Sequence, residues 1–298
     1  MDNARPALRD ALSRNCMRRL RWPWLLLVLL CAPLLRAAEP PLFLLPATVD
    51  SSELAPYLVY HCPDRALSLA DARQLDYQPA PADRIAFGYR HRDCWFRLRL
   101  ANGSTAPRDL VLTLDFAMLD QVRLFQLTPE GVREQVAGDA EPWEERRLRT
   151  RLFSFPFRLE AGASSDFYLQ VHTTSSLTLP QAVTDQRRYI EEGLAREMAL
   201  GAFYGIGIGL VLYNLLLWAA IRERAYAWYV LHLASALLFF ACLHGAAYRF
   251  WPEWTDWNNR APYVFAYGAM LFGTLFTRDF LSLPRRWHRL NRFYLFYA

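Results

Sequence analysis

The sequence predicts an all-β sandwich of jelly-roll type followed by α-helical transmembrane segments. Three observations carry that reading. Residues 39–180 alternate apolar and polar side chains in short runs broken by turn residues. The stretch 198–277 holds three long runs without a charge. A short apolar run at 22–35 comes after an arginine-rich start. Hydrophobic residues make up 53% of the 298, above the roughly 45–50% of an ordinary soluble domain. The excess lies in the N-terminal run and the last hundred residues, which excludes a wholly soluble enzyme.

The leader comes first. Residues 1–21 carry six arginines (Arg5, Arg9, Arg14, Arg18, Arg19 and Arg21) against Asp2 and Asp10. Trp22–Leu35 is then uncharged for 14 residues, about 21 Å of helix, short of a bilayer core of about 30 Å. The pattern is that of a secretory signal. Cleavage after Ala37 would put Leu35 at the −3 position, and cleavage after Ala38 would put Arg36 there. The site is imperfect, so 1–38 is read as a signal peptide or an N-terminal anchor. Either form sends the residues beyond it outward.

Strands are expected at Tyr57–His61, Trp95–Leu100, Leu110–Phe116, Val122–Leu127, Val132–Val136, Leu152–Leu159, Phe167–Thr173 and Leu177–Leu179, with a helical turn begun by Ser68. In WFRLRL, Trp95, Arg97 and Arg99 share one face, and Phe96, Leu98 and Leu100 the other. Some eight strands with turns between them make an antiparallel sandwich. Cys62 and Cys94 are the only cysteines of this half. They form either a disulfide, if the half is exported, or two buried thiols.

Chemistry is thin here. The sequence has no GxSxG, HExxH, P-loop or strand-linked GxGxxG, so neither an enzyme nor a cofactor nor a metal is expected. Carboxylates such as Asp120 and Asp139 show no acid/base spacing. The candidate ligand contacts are Tyr89, Arg90 and His91, which could line a rim, and Trp143, in the charged loop EPWEERR. Trp95 reads as core and His172 as structural.

Residues 181–197 read as a helical connector. Uncharged runs then cover Met198–Ile221, Ala225–Ala247 and Ala261–Thr277, giving helices at about 198–221, 225–247 and 261–283 and the start of a fourth at 293. Arg222-Glu223-Arg224 and the arginines after Thr277 mark the inner side, while the aromatic loop 248–260 marks the outer side. Residues 39–197 are therefore expected in the periplasm, on a multi-pass protein of the bacterial inner membrane. Gly201, Gly205 and Gly209 repeat every four residues, which lets another helix approach, and Asn214 is expected to hydrogen-bond a neighbouring helix. His232 and His244 lie about 18 Å apart along a helix, too far to share a metal; one hydrogen bond each is expected. The formal charge of +5 comes wholly from arginine over acid, with no lysine. Its position beside apolar runs reads as topology rather than as a nucleic-acid surface.

The order of these parts resembles a known family. GAFYGIGIGLVLYNLLLWAAIRERAYAWYVLH in the first helix is similar to bacterial 7TMR-DISM proteins, the seven-transmembrane receptors with diverse intracellular signalling modules. FGYRHRDCWFRLRLAN, LDQVRLF and SSDFYLQVHT resemble that family's type-2 extracellular domain, and TRDFLSLPRRWHRL resembles the inner end of its third helix. The resemblance implies a jelly-roll sensory domain like carbohydrate-binding modules, a seven-helix unit and a cytoplasmic output such as a kinase or cyclase. Here three helices and FYLFYA, the start of a fourth, precede the last residue, so the chain is read either as truncated or as continuing past Ala298. The expected function is a receptor whose sandwich binds a small ligand, with carbohydrate as the first class. The expected partners are inner-membrane lipid, a second copy of the chain and a cytoplasmic signalling module. The alternative is a non-enzymatic, membrane-anchored envelope interaction protein.

Overall fold

A computed structural model describes residues 40–46, 54–80, 86–89, 92–179 and 181–282. The leader, the Arg90–His91 pair and the apolar run from Phe293 lie outside these residues.

The first strands are β1 (Leu42–Leu44), β2 (Val59–His61), β3 (Gln78–Pro79), β4 (Ala86–Tyr89), β5 (Cys94–Ala101) and β6 (Arg108–Leu114). After them come β7 (Gln121–Thr128), β8 (Gly131–Ala137), β9 (Phe153–Leu159), β10 (Ser164–His172), β11 (Ser176–Thr178) and β12 (Gln181–Asp185). The large sheet runs β3-β2-β5-β10-β7-β8, with β1 beside β5. The order β12-β6-β9 makes a second antiparallel sheet, and β11 pairs with β4 in a third. Pro156, which cannot donate to a ladder, lies on edge strand β9.

Strand β5 faces two cores, because successive side chains point to opposite sides of a pleated strand. Phe96, Leu98 and Leu100 meet Leu110 and Leu112 of β6 and Phe155 and Phe157 of β9 in the core between the sheets. Phe157 and Phe167 pack edge to face across it at 4.7 Å. On the other face Trp95 is fully buried with Val59, Tyr77, Phe125 and Tyr168, and stacks on Phe125 at 5.8 Å. This outer core is roofed by α1 (Leu69–Ala72), which Ser68 starts with a reciprocal capping box to Asp71. A disulfide joins Cys62 to Cys94 and so ties the exit of β2 to the start of β5.

Three long helices come next: α2 (Gln186–Ile221), α3 (Arg224–Leu243) and α4 (Thr255–Phe280). The connector differs from its sequence reading. Residues 181–185 are β12, hydrogen-bonded along β6, and only from Gln186 is the chain helical. Helix α2 has no break between the connector and the apolar run, so its 36 residues span about 54 Å against a bilayer core of about 30 Å. Its surplus is the charged outer stretch, braced by the Arg187–Glu191 and Arg188–Glu192 pairs one turn apart.

Both α2 and α3 are long and apolar enough to cross a membrane. Helix α3 stops at Leu243 rather than at 247, because Gly245 takes a left-handed φ of 73° just past the His244 cap. Helix α4 begins six residues before 261, at Thr255, and ends at Phe280 rather than 283.

The contact between α2 and α3 runs through a glycine outside the four-residue repeat. Among the described residues, a Cβ on Gly201, Gly205 or Gly209 would meet nothing within 4 Å. Leu237 of α3 instead packs onto Gly207, where a Cβ would lie 2.4 Å from its Cδ2. The reason is rotation: Gly205 and Gly207 are about 200° apart around a helix. Asn214, seven residues on, shares the Gly207 face, and its Nδ2 donates to Leu210 O at 2.8 Å within its own helix rather than to a neighbour. His232 bonds the Ala269 carbonyl of α4 at 2.7 Å, and His244 the Tyr204 hydroxyl of α2 at 2.9 Å.

Candidate functional site

A buried polar cluster lies where sandwich loops meet the α3–α4 loop and the start of α4. It is built from the segment after β8. The Asp139 amide donates to Leu119 O at 2.8 Å, and the Ala140 amide to Asp120 O at 3.0 Å. Gly138 sits so close to this partner strand that a Cβ would lie 2.1 Å from Asp120 O. Asp120, Asp139 and Arg146 are all buried.

Asp120 accepts from the Thr174 amide and hydroxyl on one oxygen, and on the other from Asn259 Nδ2 of α4 at 2.8 Å. Asn258 donates to the Asp139 carbonyl at 3.3 Å and accepts from the Trp251 indole. Two neighbouring asparagines of α4 thus read two sandwich loops. Arg146 donates to Gly138 O at 2.7 Å and Thr150 O at 3.2 Å. Its guanidinium lies 4.7 Å from the Trp143 ring, 4.9 Å from Phe153 and 5.1 Å from Tyr248 of the α3–α4 loop. Three desolvated cation–π contacts hold one cation.

A second set of contacts reaches α2. Arg151 donates to Glu197 at 2.7 Å and to the His244 carbonyl at 3.2 Å. The Tyr189 hydroxyl is 3.0 Å from Ser154 Oγ. A Cβ on Gly245 would lie 2.6 Å from Arg151 O and 2.8 Å from Ala117 Cβ, so the α3 terminus approaches the sandwich backbone directly.

Burial, then the charge on Asp120, push the Asp139 carboxyl up to about 8, with Arg146 opposing. Burial also lowers Arg146 to about 10. A carboxyl whose folded pKa is raised favours the folded state fully below its unfolded value near 4, and that contribution is lost as pH rises through about 8. The stability of the full chain is therefore expected to fall between about pH 4 and 8, by at most about 1.4 kcal/mol per pH unit from this group, and its thermal midpoint with it. Asp139→Asn, neutral at every pH, is expected to flatten that slope. A wild-type midpoint that stays level or rises alongside D139N would remove the case for a buried proton.

The sequence candidates fall apart in space. Tyr89 is an exposed residue of the small β11-β4 sheet. Trp143 lies at the junction, where Arg146 occupies its ring face. Tyr89 is absent from the walls of the cavity that Trp143 lines. Asp93 holds His172 at 2.8 Å, a structural pair. Among the described residues no group of three His, Cys, Asp or Glu is placed to hold a metal. Sequence reasoning missed Arg146, Arg151, Asn258 and Asn259, and met Asp120 and Asp139 only as two carboxylates among many. An Asn pair among the five aromatics of residues 248–260 was the one visible signal.

A sandwich, antiparallel except where β1 runs parallel to β5, is hydrogen-bonded to the ends of long apolar helices, the arrangement of a membrane protein with an extracellular domain. The model of 7TMR-DISM extracellular 2 matches residues 58–185, ending on the last residue of β12. That of the 7TM diverse intracellular signalling region matches residues 196–298. The chain belongs to the 7TMR-DISM family, whose domains mark a membrane sensor of the signalling-receptor type. No curated protein matches it.

Proposed function

We propose that this chain is the sensing and coupling part of an inner-membrane receptor: the sandwich binds a small periplasmic ligand, and the junction passes the change to the helices. The observation that carries this is continuity. Strand β12 is bonded into the sheet along its length and runs without a loop into α2, so a shift of β6 and β12 moves a rod that enters the bilayer. Asn258 and Asn259 give a second link, to α4. A ligand moves such a unit only by its differential affinity for two arrangements. Carbohydrate is the first class to test, since exposed Tyr89 and the neighbouring Arg90 and His91 are the side-chain types that stack on and hydrogen-bond sugars.

The test uses the full chain in lipid nanodiscs, screened by thermal shift against mono- and oligosaccharides and amino acids. A stabilising compound is expected, and it should change the distance between spin labels at positions 158 and 224. No stabilisation across the panel, or stabilisation with an unchanged distance, would favour a sandwich merely anchored by its helices.

A further inference from the structure

A cavity of about 820 Å³ opens beneath the junction, between the loop before β9, α2 and the outer end of α3. Its lower wall is apolar, with Val211 and Leu212 of α2 facing Leu237 and Leu238 of α3. Its lining includes Arg149, Arg196 and Arg249, all exposed, together with Arg151 and Glu197. Among the described residues none of the three has an ion pair, whereas Arg151 beside them is taken by Glu197.

The levels of these groups match those of a lipid. Arg196 stands two residues before the uncharged run that starts at Met198, which places it at the hydrocarbon boundary. Val211 lies 15 residues further along the same helix, about 22 Å deeper. Phe250 and Trp254 are exposed nearby, as aromatic side chains are at an interface. Three unpaired cations on the outer side run against the positive-inside bias, and a bound anion would neutralise them. Guanidinium forks suit phosphate oxygens, and the volume lies within the range of ligand cavities.

We propose that this cavity binds an anionic membrane phospholipid, its acyl chain along Val211, Leu237 and Leu238 and its phosphate held by Arg149, Arg196 and Arg249. The site lies below the sandwich and is independent of which outer ligand the sandwich takes. A lipid there touches α2, α3 and the loop before β9 together, so its presence would stiffen the junction.

Native mass spectrometry of the full chain, released from nanodiscs of phosphatidylcholine with one-third phosphatidylglycerol, tests this. One phosphatidylglycerol per chain is expected to be retained. The triple variant R149Q/R196Q/R249Q should lose it by tenfold or more, while R133Q/R158Q, on the sandwich surface, should keep it. The R149K/R196K/R249K variant should recover most of the binding, which shows that the glutamine variant failed through charge and not through folding. Inorganic phosphate at millimolar concentration should not displace the lipid, because it lacks the chain. Equal retention of phosphatidylcholine, retention by the glutamine variant, displacement by free phosphate, or cross-linking of two copies of the Leu212→Cys chain in place of lipid binding would each overturn the proposal.

Discussion

Alanine at Gly138 is expected to lower the stability of the chain by about 3 kcal/mol, at the top of the range for overpacking. The added Cβ would lie 2.1 Å from Asp120 O and 2.9 Å from the Asp120 carbonyl carbon. Both atoms are backbone, so no side-chain rotation relieves the contact. The segment that must shift carries the Asp139 and Ala140 amide bonds to Leu119 and Asp120, and with them the acceptors for Asn258 and Asn259. The loss should therefore appear twice: in the thermal midpoint of the full chain, and as faster hydrogen exchange at 138–140 and 255–260. A midpoint indistinguishable from wild type would show that the two loops are not packed as described.

Removing the Cys62–Cys94 bridge is the second large effect. The cross-link spans a sequence separation of 32, and closing a loop of that size is worth about 3–4 kcal/mol in chain entropy. C62S/C94S is expected to fall by that amount, with the outer core around Trp95, Tyr77 and Tyr168 opening first, because Cys94 begins the strand that carries Trp95. Denaturant unfolding followed by tryptophan fluorescence measures it, with reduced wild type as the matching control. If reduction leaves the unfolding midpoint unchanged, the bridge is not holding β2 to β5.

The alternation of WFRLRL translated directly into the two cores of β5, since a pleated strand permits only one partition of its side chains. The turn at Asn102-Gly103-Ser104 was legible for a similar reason. Asn102 donates to Ala106 O at 2.8 Å and accepts from the Ser104 hydroxyl at 2.7 Å, a local arrangement. Strand β12 escaped because its five residues, Gln181–Asp185, carry two apolar side chains and lead straight into a helical pattern. Its strand character comes from pairing with β6. The glycine stripe was legible as one face of a helix, but α3 packs on a different face, at Gly207. A helix repeat states which residues share a face, but which face meets α3 depends on where α3 lies.

The site was the least legible part. Asp120 and Asn259 are 139 positions apart, and neither residue stands out locally. Only burial raises Asp139 and only folding brings three rings around Arg146.

The amino-acid order settled by itself the division of the chain: short alternating runs that must become sheet, and uncharged runs that must leave water, because hydrophobic periodicity and length act locally. The tertiary structure alone decided the junction: the unbroken passage from β12 to α2, the pairing of Asn258 and Asn259 with the sandwich loops, and the cavity beneath. Those depend on contacts between segments far apart in the chain, whose energies exist only once loop closure has already brought them together.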